Sequence, residues 1–207
     1  MAMFLPFFPL KLVVFPGEEL NLHIFEPRYR ELIKDMESEE INMGICTYID
    51  QLTGFGTEMS LDQIIKRYPD GRLDIKTKGL RSFRIKTFLN PTPGKLYAGG
   101  EMEYLDTTYT IDLVLQKKYI FYLTEVMRHF GYLEPINPES TSFSFAHKVG
   151  LSLQEELTLL TILDETARVS FLLEHFMKII SILKVTEKAK EKIKQNGHVK
   201  HLDPLNI

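Results

Sequence analysis

The apolar pattern of this chain changes period near residue 109, and that change limits what it can fold into. Before it, short β-rich runs alternate with turn residues. "FPLKLVVFPG" reads as a strand closed by Pro16 and Gly17, and "LNLHIF" follows as a second. "NMGICTYI", "FGTEMSLDQIIKRY", "RLDIKTKG", "LRSFRIKTFL" and "LYAGGEMEYL" are each short and bounded by Gly, Pro, Asp or Asn. "YPDGRL" predicts a hairpin turn with Asp70 and Gly71 at the positive-φ positions. One helical segment interrupts these strands: Pro27 suits a first helical position, and Tyr29, Leu32, Ile33 and Met36 follow the i, i+3, i+4, i+7 spacing of one buried face. Asp62 and Gln63 break the alternation of their run and predict a bulge.

After the change, "TIDLVLQKKYIFYLTEVMRHFG" is apolar on one side and ends at Gly131, a C-terminal cap. "YLEPINPESTS" reads as a polar linker and "SFAHKVG" as one or two helical turns. Ser152 and Glu155 have capping-box spacing before "ELTLLTIL", and from Asp164 a long amphipathic helix runs into a tail rich in Lys and Glu, read as a solvated helix end. The expected architecture is α+β, a mainly antiparallel sheet with one helix over residues 1–108, helices over 109–197 and a tail over 198–207.

With 207 residues the chain can bury a substantial core, and 44% hydrophobic with 26% charged residues is the composition of a globular protein. Twenty-eight acidic residues against 25 Lys and Arg, a net charge of −3, weigh against a general nucleic-acid binder. A single cysteine, Cys46, excludes an internal disulfide and suits a reducing, cytoplasmic setting. The apolar N-terminus has no basic residue before Lys11 and is broken by Pro6, Pro9 and Pro16, so it does not read as a signal peptide, and no stretch is long enough to span a membrane.

Phosphate-cradling and dinucleotide-binding glycine motifs are absent, as are H-E-x-x-H and G-x-S-x-G, so nothing local points to a nucleotide cofactor, a catalytic metal or an activated serine. His198 and His201 in the tail have no third ligand nearby and read as fortuitous; His147 and His175 read as satisfied or surface histidines. "LHIFEPRYRELI" gathers His23, Glu26, Arg28 and Tyr29, which suggests acid–base chemistry at first sight. Periodicity disperses them: His23 belongs to a strand, Glu26 sits where the helix dipole favours a carboxylate, and Tyr29 turns to the core. Arg28 and Glu31 remain on one helical edge, spaced to pair with each other.

"LPFFPLKLVVFPGEELNLHIFEPRYRELIKD", then "MGICTYI", "YPDGRLDIKTKGLRSFRI" and "YAGGEMEYLD", closely resembles the N-terminal substrate-binding domain of the Lon protease family. The matched signatures are FPL, the Pro16-Gly17 turn, the junction carrying Tyr29, the hairpin at Gly71 and the strand of Gly79 and Arg81. The likeness extends through the helical part to about residue 183. It implies a PUA-like, six-stranded β pseudo-barrel followed by a helical subdomain. It also implies a non-catalytic module, without ATPase or protease parts and without cofactor, that holds unfolded protein or peptide segments and serves as an adaptor for a separate protease or ATPase.

A binder of extended chains offers an exposed sheet edge and apolar grooves. The candidate contacts are Glu26, Arg28 and Glu31 on the first helix, with Phe7, Phe8 and Tyr68 as aromatics left over from the core; Phe7 and Phe8 are adjacent and point to opposite faces, which leaves one of them free to be exposed. Arg81 is expected to be partly buried and to pair with Glu26, so that Arg81→Ala costs more stability than Arg84→Ala. The alternatives are an RNA or small-molecule binder, since PUA-like folds elsewhere bind RNA, and last a hydrolase using His23, Glu26 and Tyr29.

Overall fold

The computed structural model describes residues 3–197, with the side chains of 184, 186, 187 and 190–197 excepted. His198 and His201 lie outside the described residues, and of the lysines of the helix end only Lys188 has a described side chain, which is exposed. Six strands form one mixed sheet: β1 (Met3–Leu10), β2 (Glu19–Ile24), β3 (Met43–Ile49), β4 (Gln51–Arg67), β5 (Leu73–Ile85) and β6 (Ala98–Tyr104). Their order is β2-β5-β4-β3-β1-β6, and a further pairing of β5 with β6 joins the ends, so that β5, β4, β3, β1 and β6 close a ring while β2 lies outside it on the first half of β5. All pairs are antiparallel except β1 with β3.

The two runs "RLDIKTKG" and "LRSFRI", expected as separate strands, are one strand, β5, and its partner β4 spans 17 residues rather than a short segment. Gly79 does not break β5. A Cβ there would lie 2.5 Å from the Phe15 carbonyl, and the Gly79 N–H and C=O bond to Glu18 O and Gly17 N at 2.8 Å each. The glycine lets the Pro16–Gly17 turn, with Gly17 at φ 86°, seat its backbone on the strand. The expected bulge near Asp62 is present as a register shift between Leu61 and Gln63. A second bulge sets Leu80 and Arg81 of β5 opposite Glu58 alone, so both are exposed and Ser82 and Phe83 are both buried. In the distal hairpin Gly71 has positive φ and Asp70 does not: Tyr68 N–H and Arg72 O bond at 2.9 Å across a four-residue turn closed by Gly71 N–H to Tyr68 O, which needs the left-handed conformation once. The first strand begins earlier than expected, at Met3, and "KLVVF" beyond Leu10 is irregular, with Val13, Val14 and Phe15 buried.

Helix α1 (Pro27–Glu39) buries Tyr29, Leu32, Ile33 and Met36 as the spacing predicts, against Phe8, Ile45 and Ile75 of the sheet. Phe7 and Phe8 do point to opposite faces, yet both are buried, because β1 is covered on each side: Phe8 stacks on Tyr29 with ring centroids 3.6 Å apart, and Phe7 packs with Leu5 and Phe83. Helix α2 (Leu113–His129) starts on the Asp112 side chain, which accepts from Val114 N–H, and stops at Gly131, with Tyr132 N–H to Met127 O and Gly131 N–H to Arg128 O. Helix α3 (Leu153–Thr161) carries the predicted capping box of Ser152 and Glu155, and α4 (Glu165–Gly197) packs along α2. Val13 and Phe15 enter the core built by these helices, around Leu123, Leu160 and Phe176, so the turn at Pro16 is packed from both sides.

Candidate functional site

Where the Pro16–Gly17 turn and the exposed bulge of β5 meet the 141–148 segment, a half-open cleft of about 720 Å³ separates barrel from helices. Phe15 and Phe143 form its buried floor, stacked at 5.0 Å between centroids. Leu80, Tyr109 and Phe145 offer apolar surface on its walls, with Tyr109 48% exposed. The rim is polar: His147 bonds Glu18 Oε2 at 3.0 Å through Nε2 and Glu156 Oε1 at 2.7 Å through Nδ1, tying the turn to α3. The Glu18 hydrogen bond, with Glu156 beyond it, outweighs burial and raises the His147 pKa from 6.5 to about 9. The imidazole is therefore a cation at neutral pH, and the cleft's two walls are held by charge-assisted bonds.

Beneath the cleft lies a fully buried arginine, Arg168. Its guanidinium donates to Glu165 Oε2 at 2.6 Å, to the Ile162 and Leu163 carbonyls at 2.7 and 3.0 Å, and to Thr108 O. Ser142 donates through N–H and Oγ to the two Glu165 oxygens. The same guanidinium sits 4.7 Å from the Phe143 ring centroid and 5.3 Å from that of Tyr109. One side chain thereby fixes both a floor and a wall residue of the cleft.

The residues singled out from sequence are not gathered in one place. Pro16, Gly17 and Gly79 line the cleft. Glu26 is the α1 N-cap but makes no side-chain cap bond; its carboxylate takes Arg28 Nε at 2.9 Å and Nη2 at 2.8 Å. The expected Arg28–Glu31 pair is not formed, since Arg28 is satisfied by Glu26 and lies over Tyr29, while Glu31 accepts the Leu96 N–H at 2.8 Å. Phe7 and Phe8 are withdrawn as surface contacts by their burial. Arg81 is corrected too: its side chain is 62% exposed, lies 3.6 Å from the Tyr104 ring centroid and 3.9 Å from Glu58, and does not meet Glu26, because the bulge at Leu80 turns it off the inner face.

Tyr68 is half-buried on the distal hairpin, where its hydroxyl donates to Asp74 at 2.7 Å and His23 bonds the other Asp74 oxygen at 2.6 Å. The His23 bond and then the Tyr68 bond hold the Asp74 carboxyl below its usual range. This trio differs from the His23, Glu26 and Tyr29 set imagined for a hydrolase; it lies on an open surface, outside the cleft, and Tyr29 is buried. Elsewhere Asp35 anchors the 90–97 loop to α1 through Lys95 Nζ at 2.6 Å and Tyr97 hydroxyl at 2.7 Å. Burial raises the Asp35 pKa, and these bonds outweigh it and bring it below the carboxylate norm.

The cleft residues missed in sequence are Leu80, Tyr109, Phe145, His147 and Lys148. The available signal was "TSFSFAHK", a dense aromatic and cationic run where the segment read as linker gives way to the one or two helical turns after it. Among the described residues no group of His, Cys, Asp or Glu is arranged to hold a metal ion, and no helix is long and apolar enough to cross a membrane.

A closed mixed barrel whose turn is clamped into a helical layer defines an α+β module of barrel plus helices. The chain belongs to the ATP-dependent protease La (LON) substrate-binding domain family, whose model matches residues 4–178. Among solved structures it is similar to a Lon N-terminal domain protein from Xanthomonas campestris, with 25% identity and a TM-score of 0.67 over 83% of this chain and 98% of that one. The N-terminal domain of Mycobacterium avium complex Lon protease shares the fold at 16% identity and a TM-score of 0.66, over 84% of this chain and 98% of that one. Comparison with curated proteins gives no match.

Proposed function

We propose that this chain is a non-catalytic protein- and peptide-binding module that holds unfolded or extended segments in the cleft and acts as a cytoplasmic adaptor for a separate protease or ATPase. In this reading residues 1–108 supply the barrel wall of the cleft and residues 109–197 the helical wall. The observation that carries it is the cleft: an amphipathic, half-open hollow with exposed Leu80 and Tyr109 and half-buried Phe145 beside backbone-rich turns and a charged rim of Glu18, His147 and Lys148. Apolar walls take a client's aromatic or aliphatic side chains, which folded proteins conceal and unfolded ones expose. The polar rim, with Glu18 and Lys148, suits peptide groups of the client backbone.

Binding of a reduced, carboxymethylated, permanently unfolded protein, followed by fluorescence anisotropy, tests the proposal. Leu80→Ser with Phe145→Ser is expected to weaken it by roughly 30-fold or more, since truncating an interface hot spot costs about 2 kcal/mol. Unchanged affinity, cleavage of the client, or tighter, steeply salt-dependent binding of a short RNA would refute it.

A further inference from the structure

Closure of the ring leaves β2 as the one strand with a neighbour on a single side throughout, among the described residues. The outer half of β4, beyond its pairing with β3, is also unpaired on one side, but it carries two register shifts that blunt it as a template. By contrast β2 pairs with β5 over Glu19–Ile24 with no shift, so its outer edge is regular. In an antiparallel pair alternate residues turn their N–H and C=O groups away from the partner. Those of β2 make no backbone bond outside the β2–β5 ladder, and a side chain, that of Thr77, reaches only the Leu20 carbonyl.

The ends of this edge are distinctive. It starts next to Glu18, which lines the cleft, and ends at Phe25, a residue 60% exposed. Leu20 and Leu22 between them are half-buried against the α1 core, leaving apolar surface that a neighbouring strand would cover.

We infer that β2 is a strand-addition site. The occupant is an extended peptide of about six residues, the length that matches the edge at roughly 3.3 Å per residue. Its backbone bonds the free groups of β2, apolar side chains at alternate positions lie beside Leu20 and Leu22, one end turns into the cleft, and the other rests on Phe25. Water satisfies these peptide groups singly, but their regular spacing along the edge matches the backbone of another extended chain, which is why the partner is a chain of this form and not a small molecule. This rests on the client-binding reading above and adds how the client's backbone is held.

The test uses an acetylated, amidated nonapeptide of alternating Val and Thr with Phe at each end, and two derivatives N-methylated at odd or at even positions, each titrated into the full chain. One derivative is expected to bind at least 10-fold more weakly than the parent and the other within 3-fold, with amide exchange slowed at alternate β2 residues in the parent complex. Equal binding of the two derivatives, or no binding of the parent, overturns strand addition. If the unfolded protein still binds and Leu80→Ser with Phe145→Ser still weakens it, the cleft reading survives that result; if neither ligand binds, both fail. Concentration-dependent dimerisation of the chain alone, with protection of β2 amides, would show the edge to be taken by a second copy and overturn the peptide as its occupant.

Discussion

Replacing Arg168 by methionine keeps most of the side-chain volume and removes every donor. The Glu165 carboxylate, 1% exposed, then keeps only the two bonds from Ser142, and the Thr108 and Ile162 carbonyls lose the guanidinium. Deleting one partner of a buried ion pair costs about 3–5 kcal/mol, because the surviving charge stays desolvated and uncompensated. Against a total stability of about 5–15 kcal/mol this is a large fraction, and for a chain of this size it lowers Tm by roughly 6–20 °C. Urea unfolding at pH 7, followed by far-UV circular dichroism with the m-value checked for constancy, measures it. Removing both partners, Arg168→Met with Glu165→Leu, is expected to recover most of the loss, since no lone charge is left behind. A single substitution costing under about 1 kcal/mol, or a double one no better than the single, would refute the account of Arg168 as the compensating charge.

Three further outcomes follow from the geometry. Arg81→Ala and Arg84→Ala are expected to differ by less than about 1 kcal/mol in thermal melts, since Arg81 contributes an exposed stacking contact on Tyr104 and no buried pair; a much larger loss at Arg81 would contradict this. Gly79→Ala is expected to destabilise by about 1–3 kcal/mol in the same urea assay, because the new methyl meets the Phe15 carbonyl at 2.5 Å and the turn must lift; a neutral effect would mean the turn is not seated as described. The folded His147 pKa of about 9 lies above its ordinary 6.5, so the stabilisation it gives is complete below about 6.5 and is lost as pH rises through 9. The stability advantage of wild type over His147→Gln should shrink across that window, and an NMR titration midpoint near 6.5 would disprove the Glu18–His147–Glu156 clamp.

What could be read along the chain was what nearest neighbours decide. The α1 stripe, the Ser152–Glu155 box, the stop at Gly131, the Pro16–Gly17 turn and the bulge at Asp62 depend on groups a few residues apart, and each appears where the pattern placed it. The family signature likewise belongs to the sequence, and it carried the six-stranded barrel-like sheet that periodicity alone does not specify, though only five of the strands close the ring and β2 stays at its edge. Tertiary structure decided the rest. Gly79 looked like the end of a strand until the turn carbonyl was seen against it, and a bulge, not alternation, turned Arg81 outward. Phe7 and Phe8 alternate as expected, but only the covering of both faces of β1 settles that neither is free. Of the cleft the sequence showed one wall, in the aromatic run at 141–148, and not the assembly, because its rim joins Glu18 to His147 across 129 positions and Arg168 reaches Thr108 across 60. Local pattern determines how each segment folds on itself; which charges lose water together, and which aromatics stay exposed, is set where distant segments pack.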